Sequence, residues 1–418
     1  MKTEKAAQKN STSVSSTTKS KLRVGIVVPH IFMHRDILPQ VIFSPGHLAI
    51  ELANGLSSNN IDVTLYTPGP IETLAKNVTA DLSYFDRELA GRGDHGDSYM
   101  DLLRKHPFTF ITLARQVQSE IVSRAYQDAN DDKLDVVHVY TNEEELALPF
   151  AKLCKKPVVF THHDPFNFLV KYKNNFPKYR HLNWISLSYA QRAGMPEDTN
   201  WVANIYHGLD QPEFRPLENP SKSYVAYLGR IIKPKGVHLA IKAVQEHNET
   251  ATTPLILRIA GKHYSDESKD NYWREHILPQ LDDTNIVYEG FIDNPDTLRG
   301  FLGNAKALLV PSLFEEPFGM VTLEAFACGT PVIALDSGAL PEVIENGKTG
   351  IIINKLLNQD GKVDEAGTIA HLANALSSVE KLDRTACVVA YNTRFTRQAM
   401  VMAHAQTYEK LANTNSTS

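Results

Sequence analysis

Short apolar runs alternate with amphipathic stretches along the chain, and each kind of segment predicts its own element. Arg23–Pro29 (RVGIVVP) is a β-branched run closed by proline and predicts a strand buried on both faces. His47–Ser57 follows with Leu48, Leu52 and Leu56 at i, i+4 and i+8, which is one stripe of a helix. Asp62–Tyr66, Asp135–Tyr140 and Pro157–Thr161 predict further strands. After a stretch holding Pro212, Pro216 and Pro220, the pattern restarts. Strands are predicted at Tyr224–Leu228, Leu255–Ala260, Ile286–Glu289, Ala307–Val310 and Pro331–Leu335, with helices at Val237–Val244 and Met320–Ala327. Strands separated by helices predict parallel sheets covered on both faces. The chain therefore reads as α/β, with two halves in series and a proline-rich seam near residues 204–222. Residues 1–20 and the stretch after Ala412 read as polar tails that cannot bury enough apolar surface to order themselves. Arg394–Leu411 is helical and could belong to either half.

Composition narrows the function classes. The chain has 418 residues, of which 42% are hydrophobic and 22% charged, the profile of a globular protein. Lys and Arg number 43 against 48 Asp and Glu, a formal net charge of −5, which argues against a sequence-independent nucleic-acid binder. Cys154, Cys328 and Cys387 stand far apart, so neither a disulfide framework nor a structural zinc site is expected. No apolar run reaches the roughly 18 residues of a spanning helix, and residues 1–20 lack the apolar core of a secretory signal. A cytoplasmic location is expected by elimination, with sequons at Asn10, Asn77, Asn248 and Asn415 as chance matches.

Ligands of doubly wound sheets bind beyond the carboxyl ends of the strands, so the residues there carry the candidate chemistry. After Ala307–Val310 come Glu316, then Pro317-Phe318-Gly319 opening a helix that carries Glu324. A helix opening behind glycine offers free N–H groups to an anion, and two carboxylates near a cleft can accept hydrogen bonds from sugar hydroxyls. After Tyr224–Leu228 comes Gly229-Arg230-Ile-Ile-Lys233-Pro-Lys235-Gly236, a basic loop suited to phosphate oxygens. After Pro157–Thr161 comes His162-His163-Asp164, suited to acid–base or orienting work. After the first strand, Ser44-Pro45-Gly46-His47 opens a helix. The chain has no G-x-G-x-x-G, P-loop, H-E-x-x-H or strand-end D-x-D, so nicotinamide, nucleotide-hydrolase and metal readings are not favoured.

Glu316-Pro-Phe-Gly-Met-Val-Thr-Leu-Glu324 resembles the E-x7-E motif of the family 4 retaining glycosyltransferases, which have the GT-B fold: two Rossmann-like parallel-sheet domains facing a central cleft. Gly338-Ala-Leu-Pro-Glu342, Leu228–Gly236, Tyr206-His-Gly-Leu-Asp210, Ile259-Ala-Gly-Lys262 and Thr161-His-His-Asp164 resemble further motifs of that family, in the family's order. The resemblance covers about residues 21–412 and is most specific in the second half. It implies an N-terminal acceptor domain (21–205), a C-terminal nucleotide-sugar domain (206–393), and a C-terminal helix (394–412) returning to the N-terminal domain. It implies transfer of a hexose from a nucleotide diphosphate sugar, of UDP-glucose type, to an acceptor, without a metal or other cofactor. Residue by residue, it implies that Arg230 and Lys235 hold the diphosphate, Glu316 the sugar hydroxyls and Glu324 the ribose. Phe318, Gly319, Met320 and Val321 would present N–H groups, His163 would touch the transferred sugar, Gly46 would approach the phosphates, and Gly261 and Phe291 would lie along the base. The sequence departs from the family at Ser44-Pro45-Gly46, where Gly-Gly is frequent, and at His207, where Asn is usual. His162 beside His163 leaves two candidates for the reactive histidine, with the T-x-H spacing favouring His163.

Two other readings fit the same scaffold: a GT-B relative with other chemistry, such as a nucleotide-sugar epimerase, and a catalytically silent nucleotide-sugar-binding protein. The second expects a broken Arg230, Lys235, Glu316 or Glu324, and all four are present. The acceptor, a sugar, lipid-linked sugar or small molecule, would meet His30–Phe43, Asn77–Asp101 and Phe166–Arg180. Phe166, Phe168, Tyr172, Phe176 and Tyr179 read equally as an acceptor platform or a local core. Lys171, Lys173, Lys178, Arg180 and Arg192 could meet an anionic membrane surface, although no amphipathic helix with Trp and Phe on one face accompanies them.

Overall fold

The first half of the chain builds a seven-stranded parallel sheet from β1 (Arg23–Val27), β2 (Asp62–Thr67), β3 (Lys76–Thr79), β4 (Val136–Tyr140), β5 (Val158–Thr161), β6 (Asn183–Ser186) and β7 (Trp201–Asn204). Its helices are α1 (Ser44–Ser58), α2 (Ser83–Gly91), α3 (Tyr99–Lys105), α4 (Pro107–Asn130) and α5 (Val170–Asn175). The second half builds a six-stranded parallel sheet from β8 (Tyr224–Leu228), β9 (Ile256–Ala260), β10 (Ile286–Gly290), β11 (Ala305–Val310), β12 (Val332–Leu335) and β13 (Gly350–Ile353). Around it lie α6 (Val237–Thr250), α7 (Pro295–Gly303), α8 (Met320–Ala327), α9 (Leu340–Val343), α10 (Glu365–Leu376), α11 (Arg384–Arg394) and α12 (Arg397–Asn415). This computed structural model describes residues 21–91, 98–140, 142–209, 214–263 and 270–415. The predicted tail over 1–20, the sequon at Asn10, and Asp210 and Pro212 lie outside the described residues.

Strand order is β3-β2-β1-β4-β5-β6-β7 in one sheet and β10-β9-β8-β11-β12-β13 in the other. Both sheets reverse winding direction once, between β1 and β4 and between β8 and β11. Each reversal opens a crevice beyond the carboxyl ends of two neighbouring strands, the place where open α/β sheets bind ligands. The central strands earn their place by composition: Val136–Tyr140 is buried along its whole length, with β-branched side chains packing on helices from both faces. Leu48, Leu52 and Leu56 of α1 are buried as one stripe, as their spacing predicts.

The chain crosses between the halves twice, and the two crossings run side by side. Leu209 N–H donates to the Phe395 carbonyl (2.9 Å) and Arg397 N–H to the Leu209 carbonyl (3.1 Å). α11 packs on α8 in the second half, and α12 then lies on α1 of the first half. Close approach there depends on Gly55, since an added Cβ would stand 2.4 Å from Val401 Cγ2. Tyr408 of α12 is hydrogen-bonded to His138 Nδ1 of β4 (2.6 Å). The helix runs to Asn415, past Ala412 where the polar tail is predicted; Asn413 and Thr414 continue it because no glycine or proline stops them.

Candidate active site

The C-terminal wall of the cleft is assembled at the β8/β11 reversal. Two loops leave these neighbouring strands and are stitched together: Leu313 and Phe314 N–H groups both donate to the Pro234 carbonyl, at 2.8 and 3.1 Å. Gly236 ends the basic loop with φ +72°, and a Cβ there would lie 1.9 Å from the Pro311 carbonyl oxygen. Only glycine permits that backbone at that contact. The stitching brings Lys235 Nζ to 2.6 Å from Glu316 Oε1, and Ser312 Oγ donates to the same oxygen at 2.7 Å. Glu316 is only 6% exposed, so its carboxylate enters the protein paired rather than bare. From the other side, Ala339 N–H donates to the Glu316 carbonyl (2.8 Å), and a Cβ on Gly338 (φ +56°) would sit 2.2 Å from that carbonyl. The adjacent Glu315 accepts from Gly338 N–H (2.6 Å) and from Lys355 Nζ (2.5 Å).

The other second-half candidates form a row along the ends of β10, β9, β8 and β11. Phe291, half-exposed, carries Lys262 Nζ 3.9 Å from its ring centre. Gly261 N–H donates to the Gly290 carbonyl (2.8 Å), and the Gly261 carbonyl accepts from Tyr288 Oη (2.9 Å). Arg230 is exposed, while its carbonyl is anchored by Tyr227 Oη (2.9 Å). Gly319 (φ +94°) caps α8 without a side-chain cap, which leaves first-turn N–H groups without a side-chain partner at the β11 end of the row. Phe318 is buried and anchors this turn, whereas Met320 and Val321 are half-buried. Glu324 follows on α8, and burial pushes its carboxyl up to about 7.

The N-terminal wall supplies Gly46 and His163. Gly46 is buried in the first turn of α1, where a Cβ would meet Met33 Sδ and Phe43 at 2.7 Å. Met320 packs against both this N-terminal core and the C-terminal one, so the start of α8 touches both domains. His163 follows β5 and is 8% exposed; its ring stacks parallel on His207 (5.3 Å between centroids) and meets Tyr140 edge-on. His207 in turn meets Phe318 at 5.2 Å, so one aromatic column runs from the N-terminal domain through the crossover to the Glu316 loop. Burial holds His163 well below the ordinary histidine range, and its Nε2 has no hydrogen-bond partner among the described residues. His162 points away, into Phe166, Tyr172 and Phe176, with Nδ1 3.1 Å from Glu144 Oε2. Of the two histidines, His163 therefore faces the interdomain seam and His162 belongs to the core.

The aromatic segment after β5 divides the same way. Phe166, Tyr172 and Phe176 are core residues, while Phe168 is 53% exposed and meets Phe314 of the opposite wall edge-on at 5.1 Å. Between the walls lies a cavity of about 260 Å³ lined by Pro165, Asn167, Gln191, Glu315, Glu316 and Asp336, among others. Sequence reasoning passed over Ser312, Asn142 and the role of Glu342. Asn142 accepts from the His163 N–H (3.1 Å) and donates to Asp164 Oδ2 (3.0 Å), fixing the turn that presents His163. Ser312 stands four residues before Glu316 in the same loop, where the local pattern could have shown it; Asn142 and Glu342 are brought to the site only by the fold. Among the described residues, no helix is long and apolar enough to cross a membrane.

Comparison with known proteins agrees with this geometry. The Glycosyltransferase Family 4 model matches residues 46–194, and the Glycosyl transferases group 1 model matches residues 210–372. Spore coat protein SA of Bacillus subtilis (strain 168) is 29% identical over 206 residues, 45% of this chain and 53% of that protein. Glycogen synthase of Mycobacterium tuberculosis (strain ATCC 25618 / H37Rv) is 35% identical over 157 residues, 36% of this chain and 35% of that protein. The chain thus spans about half, or less, of the length of the curated relatives it matches. Among solved structures, sucrose-phosphate synthase from Thermosynechococcus elongatus superposes with a TM-score of 0.67 at 16% identity, over 94% of this chain and 100% of that one. Anabaena HepE, in complex with UDP and glucose, gives 0.62 at 16% identity over 93% and 99%. The likeness to these structures establishes the GT-B fold, and with both family models matched in the expected order the chain belongs to the family 4 glycosyltransferases.

Proposed function

We propose that the protein transfers a hexose from a nucleotide diphosphate sugar of UDP-glucose type to a hydroxyl acceptor, with retention of configuration and without a metal. The observation that carries this reading is the Lys235–Glu316 contact of 2.6 Å at the β8/β11 reversal. It puts a cation for phosphate and a carboxylate for sugar hydroxyls side by side, as a sugar joined to a diphosphate requires. Breaking the sugar–phosphate bond sends its electron pair to the leaving phosphate oxygen. Lys235, Arg230 and the free N–H groups behind Gly319 are the preorganised positive groups that stabilise that charge. Glu324 holds the ribose, Gly261 and Phe291 border the base, and Gly46 approaches the phosphates from the other domain. On this reading His163, held neutral by burial and with a buried Nε2 that has no hydrogen-bond partner among the described residues, bonds a hydroxyl of the transferred sugar. HepE's complex with UDP and glucose, on the same fold, supports the choice of a UDP-sugar donor.

The test is a thermal-shift and nucleotide-release screen with UDP-glucose, GDP-mannose and ADP-glucose. A ligand at a hundred times its Kd stabilises the fold by about 2.7 kcal/mol, so the true donor stands apart from the others. Arg230→Ala is expected to lower turnover about a hundredfold. If no sugar nucleotide stabilises the protein or releases its nucleotide, the reading is wrong.

A further inference from the structure

We propose that Glu342 is a positioning residue for this transfer: its carboxylate sets the angle between the two domains and so fixes where Glu316 stands against His163. The proposal rests on the nucleotide-sugar reading of the cleft. Glu342 belongs to α9 of the C-terminal domain, yet its side chain serves the other domain. Oε1 accepts from the Ala190 N–H (2.6 Å), and Oε2 accepts from the Tyr189 N–H (2.9 Å) and from Tyr206 Oη (3.1 Å). Tyr189 and Ala190 lie in the N-terminal domain after β6, and Tyr206 lies in the first crossover. One carboxylate therefore ties three segments that a change of domain angle would separate.

The second crossover is tied to the same residue. Arg394, the last residue of α11, donates from Nη2 to the Glu342 carbonyl (2.6 Å), and its guanidinium lies 5.6 Å from the Tyr206 ring centre. Both crossings thus converge on Glu342. From there the effect reaches the reacting groups through the turn that Glu342 holds. Ser188 Oγ donates to the carbonyl of Pro317 (2.8 Å), the residue after Glu316, and accepts from the Gln191 N–H (3.0 Å). Gln191 Nε2 donates to the carbonyls of His162 (2.7 Å) and Asp164 (3.1 Å), bracketing His163. The turn over residues 188–191 grips the Glu316 loop with one hand and the His163 turn with the other, and Glu342 holds the turn.

Glu342→Ala removes all three side-chain bonds, and Glu342→Gln keeps a single acceptor oxygen. On this reading UDP is held by C-terminal residues, with Gly46 alone approaching its phosphates from the other domain, so its affinity is chiefly a control for folding. We expect Glu342→Ala to cut UDP release from UDP-glucose about a hundredfold while the Kd for UDP, by calorimetry, stays within about twofold, because a small misplacement of reacting groups costs rate rather than nucleotide binding. Glu342→Gln should recover part of the rate. Small-angle scattering of the nucleotide-free alanine variant should give a larger radius of gyration than the wild type. Wild-type turnover in the alanine variant overturns the proposal, as does a loss of UDP binding as large as the loss of rate. If the wild type itself neither binds UDP nor turns over UDP-glucose, the donor reading fails and scattering alone decides: a larger radius supports the domain-setting role, and an unchanged one overturns it.

Discussion

Lys235 Nζ and Glu316 Oε1 stand 2.6 Å apart although 81 residues separate them in the chain. The Glu316 side chain is 8% exposed and that of Lys235 22%, so neither charge is fully solvated. Removing one partner of such a pair strands the other, which costs more than removing both. Lys235→Ala is expected to lower stability by about 2–3 kcal/mol, and the double variant Lys235→Ala/Glu316→Gln to recover at least about 1 kcal/mol of that. Urea unfolding of the four proteins of the cycle measures it. Additive losses would mean that the pair is not coupled in solution.

Glu324 predicts a pH dependence of donor binding. Burial raises its carboxyl to about 7. On the proposed role, the ionised form accepts the ribose hydroxyls, and protonation withdraws that charge-assisted acceptor. Affinity for UDP should therefore be full above pH 7 and fall as pH drops below it, by about tenfold where one such bond is lost. Glu324→Gln should bind UDP weakly at every pH and lose this dependence. Calorimetric titrations at pH 8 and pH 6 with both proteins check it, and an unchanged wild-type Kd between them would refute the assignment.

The parts of this molecule that could be read from its residues are those where one local signal suffices. Tyr224–Leu228 and Met320–Ala327 form as predicted, because apolar runs bounded by glycine and proline leave little choice of element. The strands β3 and β6 gave no such signal: Lys76–Thr79 and Asn183–Ser186 are four residues each and partly polar. They are strands because neighbouring backbones offer a ladder, a tertiary cause. The β-branched β13 (GIII), by contrast, was passed over despite its signal. The site divides likewise. Glu316, Gly319 and Arg230 announce themselves at strand ends. Ser312 acts on Glu316 only four residues on, a local contact that was passed over. Asn142 and Glu342 act through residues far along the chain, and the sequence does not say which strands will be neighbours. The aromatic segment after β5 stayed ambiguous for the same reason: Phe166 and Phe168 are two residues apart, yet one is buried and the other faces the opposite wall.

The two adjacent histidines should behave oppositely on substitution. His163→Ala removes a buried ring that stacks on His207 and an unengaged Nε2 at the seam, so turnover should fall far more than the lost packing lowers the melting temperature, while UDP binding changes little. His162→Ala empties an aromatic cage and leaves Glu144 buried without its partner, so stability should fall by about 3 kcal/mol. Melting curves and turnover of the two variants, measured side by side, distinguish them; a catalytic defect confined to His162→Ala would reverse the assignment.

The seam also makes the fold sensitive to acid. His138, His163, His207 and His404 are all buried, and burial lowers each: His207 to about 3, His404 to about 4, His138 and His163 well below the ordinary value. A histidine whose folded pKa is depressed contributes its full stability above the unfolded pKa near 6.5 and loses it as pH falls, because the unfolded chain takes up the proton first. By pH 5.5 each of the four should subtract on the order of 1 kcal/mol. Glu324 works in the opposite sense: its raised pKa means the folded state binds a proton before the unfolded one, so stability rises as pH falls from about 7 toward 4.5. That returns only part of the loss over the same interval, leaving stability to fall by a few kcal/mol, a large share of a typical domain's stability. His162 is left out of the balance because Glu144, beside it and raised by burial, moves the other way. Urea midpoints at pH 7.5, 6.5 and 5.5 should fall progressively, and His207→Asn should reduce the slope by about one proton. A stability that holds level down to pH 5.5 would mean that these rings reach water in the folded protein.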